Sequence, residues 1–374
     1  MAWQSGESGE SGESGESGES GESGESIRSG SFTAVRAMVS NREGVVGMWE
    51  GIDDIPPNYS TKPTSLDLWS TWVRLRTLHS EMVSGIHYDD GVDSVAVRYW
   101  ERKDKSEHTL VHMFRPTESD FVLQLDYVNN YAALRMERGG EIMTEMTDIL
   151  SFIGSVGFLH PDRMKRTYEL LKLVLHVTGF IEMRVKHALA CRRPMEYSPQ
   201  IQPMIPTPGH GSLPSGHATE SFAAAFVFHA LIKAAGGKDV SIPEYEIGMP
   251  KRNSTFIQLM RIAERIAINR TVAGVHFPVD SVAGMVLGRT LAEFYLARFG
   301  LGDLRMRTFD GRGFEGDFCY EKVLSMGYLK RKGAEHEGQP IIKEGKHRQK
   351  VDKSTLLEYL WNEAVIECRL MINP

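Results

Sequence analysis

Three short segments of this chain carry residue types suited to holding a small anion. Lys186 is followed seven residues later by Arg193-Pro194. Seven residues make about two helical turns and roughly 10 Å of rise. Proline disfavours helical geometry at the residue before it, so the chain should bend at Arg193 and return the guanidinium toward the same pocket as Lys186. The second segment, Pro214-Ser215-Gly216-His217, leads into an apolar run that reads as a helix. The first N–H groups of a helix have no partner within it, and the helix dipole adds positive potential. A Ser-Gly entry with an imidazole beside it is therefore a receptor for a tetrahedral oxyanion. In the third segment Arg270 precedes His276 by six residues and Asp280 follows four later, with Pro278 placed to open a helix. That aspartate can hold one ring nitrogen of His276 and leave the other to serve as nucleophile or metal ligand. Each segment alone has a plainer reading. Cations at a helix end complement its dipole, Ser215 is a good N-cap, and a single histidine is commonly a satisfied core residue.

The elements that must position these residues are mainly helical. Apolar residues recur at three and four, as in Leu68, Trp72, Leu75 and His79, and again in Met164, Tyr168, Leu171 and Leu175. The pattern predicts a helix from about Pro161 to Ala190, and others near 119–138, 140–153, 217–235, 254–268 and 278–299. Gly236-Gly237 and Gly300 mark two helix ends. Strand signals are confined to Ser94–Tyr99 and Thr109–Phe114. The expected architecture is all-α, a helical bundle with its active site between bundle helices and minor short strands. Glu141, Glu145, Arg135 and Arg138 stand at helical spacings and read as exposed or interhelical ion pairs, each contributing at most about 1 kcal/mol. Pro199, Pro203, Pro206 and Pro208 make a stiff connection between the first two segments.

Composition narrows the partners. The chain has 374 residues, 41% hydrophobic and 25% charged, as a soluble globular protein shows. Residues 5–25 repeat Ser-Gly-Glu seven times, and taking those seven carboxylates away from the formal −6 leaves +1. A near-neutral folded part argues against a nucleic-acid surface, so anion binding must be local. The repeat cannot bury anything, and residues 1–30 are expected to be a disordered tail. Cys191, Cys319 and Cys368 lack the spacing of a zinc site or a disulfide framework. With no apolar leader and no apolar stretch of about 20 residues, they point to a soluble, cytoplasmic protein without membrane insertion. Self-association into a homo-oligomer is left open. The basic stretch Lys330–Lys353 reads as solvated, ahead of a last amphipathic helix from about Ser354 to Met371 that should pack late and move easily.

Taken in order, Lys-x6-Arg-Pro, Pro-Ser-Gly-His and Arg-x5-His-x3-Asp resemble the superfamily that joins type 2 phosphatidic acid phosphatases, bacterial acid phosphatases and vanadium-dependent haloperoxidases. The motifs span residues 186–280, and the surrounding helical pattern extends the likeness to about 120–300. Asn269 stands where the family motif usually has serine before Arg270. The resemblance implies that Lys186, Arg193, Arg270, Ser215 and Gly216 cradle vanadate, or phosphate in the same site. It implies that His276 is the axial vanadium ligand or, in a phosphatase, the nucleophile that becomes phosphohistidine. His217 would be the general acid and base, and Asp280 would orient His276. His210 occupies the place where bromoperoxidases of the superfamily carry histidine, and Ala218 after His217 follows the haloperoxidase form. The resemblance thus implies a vanadate-dependent haloperoxidase that uses hydrogen peroxide to oxidise bromide or iodide, with Met183 where a halide-placing tryptophan or arginine often stands. The alternatives are a soluble acid phosphatase acting on a phosphomonoester and a non-catalytic oxyanion-binding protein. The expected organisation is the tail at 1–30, an N-terminal region at 31–118 packing on the core, a catalytic core at 119–300, and a C-terminal extension at 301–374.

Overall fold

The computed structural model describes residues 39–40, 44, 60–240, 254–325 and 338–372. The Ser-Gly-Glu tail, the Pro56-Pro57 entry and residues 330–337 of the basic stretch lie outside the described residues.

Two helices form the centre, α7 (Gly216–Ala235) and α9 (Pro278–Arg298). Both are buried on nearly every face, which is what a helix apolar all round requires. They approach closely because α9 presents glycine to α7. A Cβ on Gly288 would stand 2.4 Å from the carbonyl oxygen of Thr219, and one on Gly284 would stand 2.7 Å from that of Ser215. No other residue type leaves room for those carbonyls. Around this pair pack α5 (Lys165–Leu189), α8 (Thr255–Val272), α4 (Ile149–Gly157) and the last helix, α11 (Thr355–Ile372). The helix α1 (Thr71–Val83) lies against α5 and α11. Its buried stripe is Arg74, Leu75, Leu78 and Met82. Leu68 of the expected stripe is instead 72% exposed in a 3-10 turn ahead of the helix.

Between α1 and α4 the chain forms α2 (Glu118–Tyr131) and α3 (Arg135–Glu145), separated by a short 3-10 turn. Thr117 and Asp120 form a reciprocal capping box that starts α2. The two helices expected over 119–153 are therefore three. A long α5 runs to Leu189 and ends at Ala190, which takes a left-handed φ of 48°. The bend expected at Arg193 thus begins three residues earlier, and Arg193 itself is extended, ahead of the single turn α6 (Pro194–Tyr197). One more short helix, α10 (Tyr320–Leu324), follows the core.

The all-α expectation needs correction. A five-stranded mixed sheet, order β1-β2-β3-β4-β5, covers one side of the bundle. Its strands are β1 (Ile86–Asp90), β2 (Ser94–Glu101), β3 (Ser106–Phe114), β4 (Leu304–Asp310) and β5 (Ile342–Gln349). The β3–β4 pair is parallel, setting Val111 beside Arg307 and Met113 beside Phe309, and the other pairs are antiparallel. Val95, Val97, Leu110, Val111, Met113, Leu304 and Phe309 are buried where the sheet meets the helices. The reason β4 and β5 escape a reading by hydropathy is chemical. Arg307 is buried in the middle of β4, and it is held by Glu293 of α9 and Glu344 of β5. The last helix is also part of the core, with Leu357, Leu360, Trp361, Ala364 and Cys368 buried and Trp361 stacked on Phe299.

Candidate active site

The three sequence segments meet where α5 ends, α7 begins and α9 begins. Each pair of segments is tied by backbone contacts. Segments one and two join because Gly211 lies across the end of α5: a Cβ there would stand 3.1 Å from the Lys186 carbonyl and 3.3 Å from that of Cys191. The Ser212 amide then donates to the Cys191 carbonyl at 2.9 Å. Segments two and three join through the Ser215 amide, which donates to the Asp280 carbonyl at 3.0 Å. Segments one and three join through Arg193, whose Nη1 donates to the Val275 carbonyl at 3.0 Å. Lys186, Arg193, Ser215, His217, Arg270, His276 and Asp280 are all buried, each at most 2% exposed.

Hydrogen-bond chemistry fixes the proton positions. A guanidinium can only donate, and Arg193 Nη1 lies 3.0 Å from His276 Nε2. Nε2 is therefore the accepting nitrogen, and the ring proton sits on Nδ1, which donates to Asp280 Oδ2 at 3.0 Å. The same Asp280 oxygen accepts from the Phe277 amide at 2.9 Å, so the first turn of α9 locks the carboxylate in place. Arg193 also donates from Nε to the His210 carbonyl and from Nη2 to His210 Nδ1, both at 3.1 Å. His210 is half-buried and lines a cavity of about 690 Å³ with Cys191, Met195, Pro203 and Ile205. Through His210, which Arg193 contacts, that cavity adjoins the cluster. Burial, and after it the Asp280 carboxylate, push the Cys191 thiol up.

His217 sits on the first turn of α7, and its Nε2 donates to the Glu145 carbonyl at 3.2 Å. Ser215 is the N-cap, but its Oγ accepts from Ala218 N at 3.5 Å, the outer limit of a hydrogen bond. The leucine-proline bond just upstream, Leu213-Pro214, is cis.

Sequence reasoning missed the floor of this site. Glu145 closes α3 and makes the interhelical kind of ion pair that its spacing suggested, with Arg270 of α8, but fully buried. Its carboxylate accepts from Arg270 Nη2 at 2.6 Å and from Asn269 Nδ2 at 2.7 Å, while its carbonyl holds His217. Asn269, at the position where the family motif differs, also donates to Glu141 at 3.0 Å and accepts from Arg138 at 3.0 Å. Burial drives the Glu145 carboxyl up to about 7 against the opposing pull of Arg270 and Asn269. The glutamate pair one turn apart was visible in the sequence; its burial was not, because α3 is polar on balance. Arg135 likewise makes no surface pair but donates to three carbonyls, those of Val272, Gln202 and Ile201. This clamps the proline-rich connection at Ile201 and Gln202 against the end of α8.

Among the described residues no group of three or more His, Cys, Asp or Glu side chains is arranged to hold a metal cation, and no helix is long and apolar enough to cross a membrane. Comparison with known proteins agrees with the motif order. The model of the PAP2 superfamily matches residues 169–300. A 120-residue stretch, 30% of this chain, is 32% identical to a vanadium-dependent bromoperoxidase of Ascophyllum nodosum, of whose length it covers 22%. Residues 169–300, which run from within α5 to the end of α9 and hold every residue of the three motifs, are a PAP2 superfamily domain.

Proposed function

We propose that the cluster binds vanadate and that the protein is a haloperoxidase, converting hydrogen peroxide, halide and a proton to hypohalous acid and water. The observation that carries this reading is His276, whose Nδ1 proton is held by Asp280 while its Nε2 lone pair faces the Arg193 guanidinium. The donor set fits an oxyanion: three buried cations, a serine at the entry of a buried helix, and one imidazole nitrogen oriented as a ligand. When bound, vanadate would supply the Lewis-acid centre that activates peroxide. The chain's own residues do the rest. Lys186, Arg193 and Arg270 offset the charge of the oxyanion oxygens, with Ser215 Oγ and the Gly216 amide as further donors. Asp280 holds the Nδ1 proton of His276 and so orients the ring with Nε2 toward the oxyanion, as carboxylates do for ligating imidazoles. His217 passes protons to and from peroxide, since its anchor on the Glu145 carbonyl fixes Nε2 and leaves ring Nδ1 for the acceptor role. Substrates arrive through the cavity that His210 lines.

A phosphatase would use the same donors, with Nε2 of His276 attacking phosphorus. His210 beside Arg193 and Ala218 after His217 favour the haloperoxidase, as does the likeness to a bromoperoxidase. The test is to load the full-length protein with orthovanadate and assay bromination of a phenol-type dye with peroxide and bromide, against p-nitrophenyl phosphate hydrolysis without vanadate. Bromination that is lost in His217→Ala, with vanadate affinity reduced only modestly, is expected. Brisk phosphate hydrolysis with no bromination reverses the assignment, and vanadate binding with neither reaction leaves an oxyanion receptor.

A further inference from the structure

A second cavity, of about 280 Å³, lies between the C-terminal half of α9 and strands β4 and β5. It shares no lining residue with the first. From Asp280 to Arg289 the axis of α9 rises about 13 Å, so the two sites are separate. At the second cavity three guanidiniums, those of Arg289, Arg305 and Arg307, surround two carboxylates, those of Glu293 and Glu344. Arg307 takes both. Its Nη1 and Nη2 donate to the two Glu293 oxygens at 2.9 and 2.6 Å, and Nη2 is also paired with Glu344. Arg305 Nη1 donates to the other Glu344 oxygen at 3.2 Å, and its amide to Glu293 at 3.3 Å.

Arg289 is the most loosely paired of the three. It is 6% exposed, lines the cavity, and makes no hydrogen bond among the described residues. Its carboxylate contact, from Nε to Glu293 at 3.6 Å, is too long for one. Burial, and then the neighbouring Arg307, push its ionisation down to about 10. A cation held out of water in this way is stabilised by an anion that reaches its remaining donors. The rest of the lining says which anion. Leu296, Leu301 and Val240 provide an apolar wall, Arg348 stands at the open side, and Asp303 and Asp239 at the rim disfavour a highly charged polyanion. The volume, just under the usual range for drug-sized ligands, suits a small molecule.

We propose that this cavity is a binding site for a small organic monocarboxylate, its carboxylate on Arg289 and its apolar body against Leu296 and Leu301. The inference does not depend on the activity of the first site. The test is a fluorine NMR titration of the full-length protein with 4-fluorobenzoate, and with 4-fluorobenzyl alcohol as its neutral counterpart. Saturable binding of the acid and none of the alcohol is expected. Arg289→Gln should weaken binding about tenfold or more, the loss of charge-assisted hydrogen bonds, and Arg348→Gln should weaken it by a smaller factor. Should Arg289→Gln fail to fold, Leu301→Trp fills the half-buried wall and should abolish binding. Absence of saturable binding by the wild type overturns the proposal. So does equal affinity in Arg289→Gln or Leu301→Trp, which would place the carboxylate elsewhere.

Discussion

Replacing Glu145 by glutamine tests whether the buried floor of the site is a titrating group. In the folded protein its carboxyl ionises at about 7, mainly through burial, against an unfolded value near 4.3. The sign follows from proton counts. Between those two values the folded state holds more protons than the unfolded one, so the contribution of Glu145 to stability is complete below pH 4 and is lost as pH rises through 7. A shift of that size corresponds to about 4 kcal/mol in all, most of it lost between pH 5 and pH 8.5. Glutamine keeps the shape and the acceptor for Arg270 Nη2 but cannot ionise. Chemical denaturation of wild type and Glu145→Gln between pH 5 and pH 8.5 should show the wild type losing about 3 kcal/mol more than the variant over that range. The oxyanion affinity should follow: above pH 7 the Glu145 carboxylate competes for Arg270, so wild-type affinity falls with pH while that of the variant changes less. Parallel stability profiles for the two proteins would refute the assignment of Glu145 as a group that titrates near neutrality.

Asp280→Asn should reduce vanadate affinity by about 10- to 100-fold, because the amide no longer fixes the Nδ1 proton of His276; titration of the apoprotein with orthovanadate reads this directly, and undiminished affinity would remove Asp280 from its orienting role. Gly288→Val should unfold the protein or cost at least about 3 kcal/mol, since even a Cβ at that point meets the Thr219 carbonyl at 2.4 Å. A thermal unfolding scan checks it, and a near-native midpoint would mean that α7 and α9 can separate without penalty.

The candidate site was legible because its residues sit at helix ends, where local chemistry has few alternatives. Pro278 opens α9 and Asp280 falls on its first turn; Ser215 caps α7; both follow from residue type and spacing. Long central helices were legible for the same reason, since their apolar runs exceed what any strand holds. Of the sheet, β2 and β3 were legible as the expected stretches Ser94–Tyr99 and Thr109–Phe114, but β4 was not, because it is buried by ion pairing. Arg305 and Arg307 on a strand read as solvent-facing until Glu293 and Glu344, distant in sequence, are placed against them. Glu145 failed to stand out by the same logic, its partners being Asn269 and Arg270, more than 120 residues further along. Hydropathy patterns report burial among apolar groups, and a buried charge becomes visible when its partner is known.

The parallel alignment of β3 with β4 joins residues 111–114 to residues 307–310 across the entire helical bundle. During synthesis every side chain of the candidate site leaves the ribosome ahead of the strand that covers β3. Until then β3 offers an uncovered edge, with bare amides and carbonyls, to any other nascent copy nearby. The terminal helix shuts the structure later still, laying Trp361 on Phe299. A chain cut off near residue 300 would thus hold every residue proposed to bind the anion while lacking the closure that keeps its sheet from recruiting a neighbour.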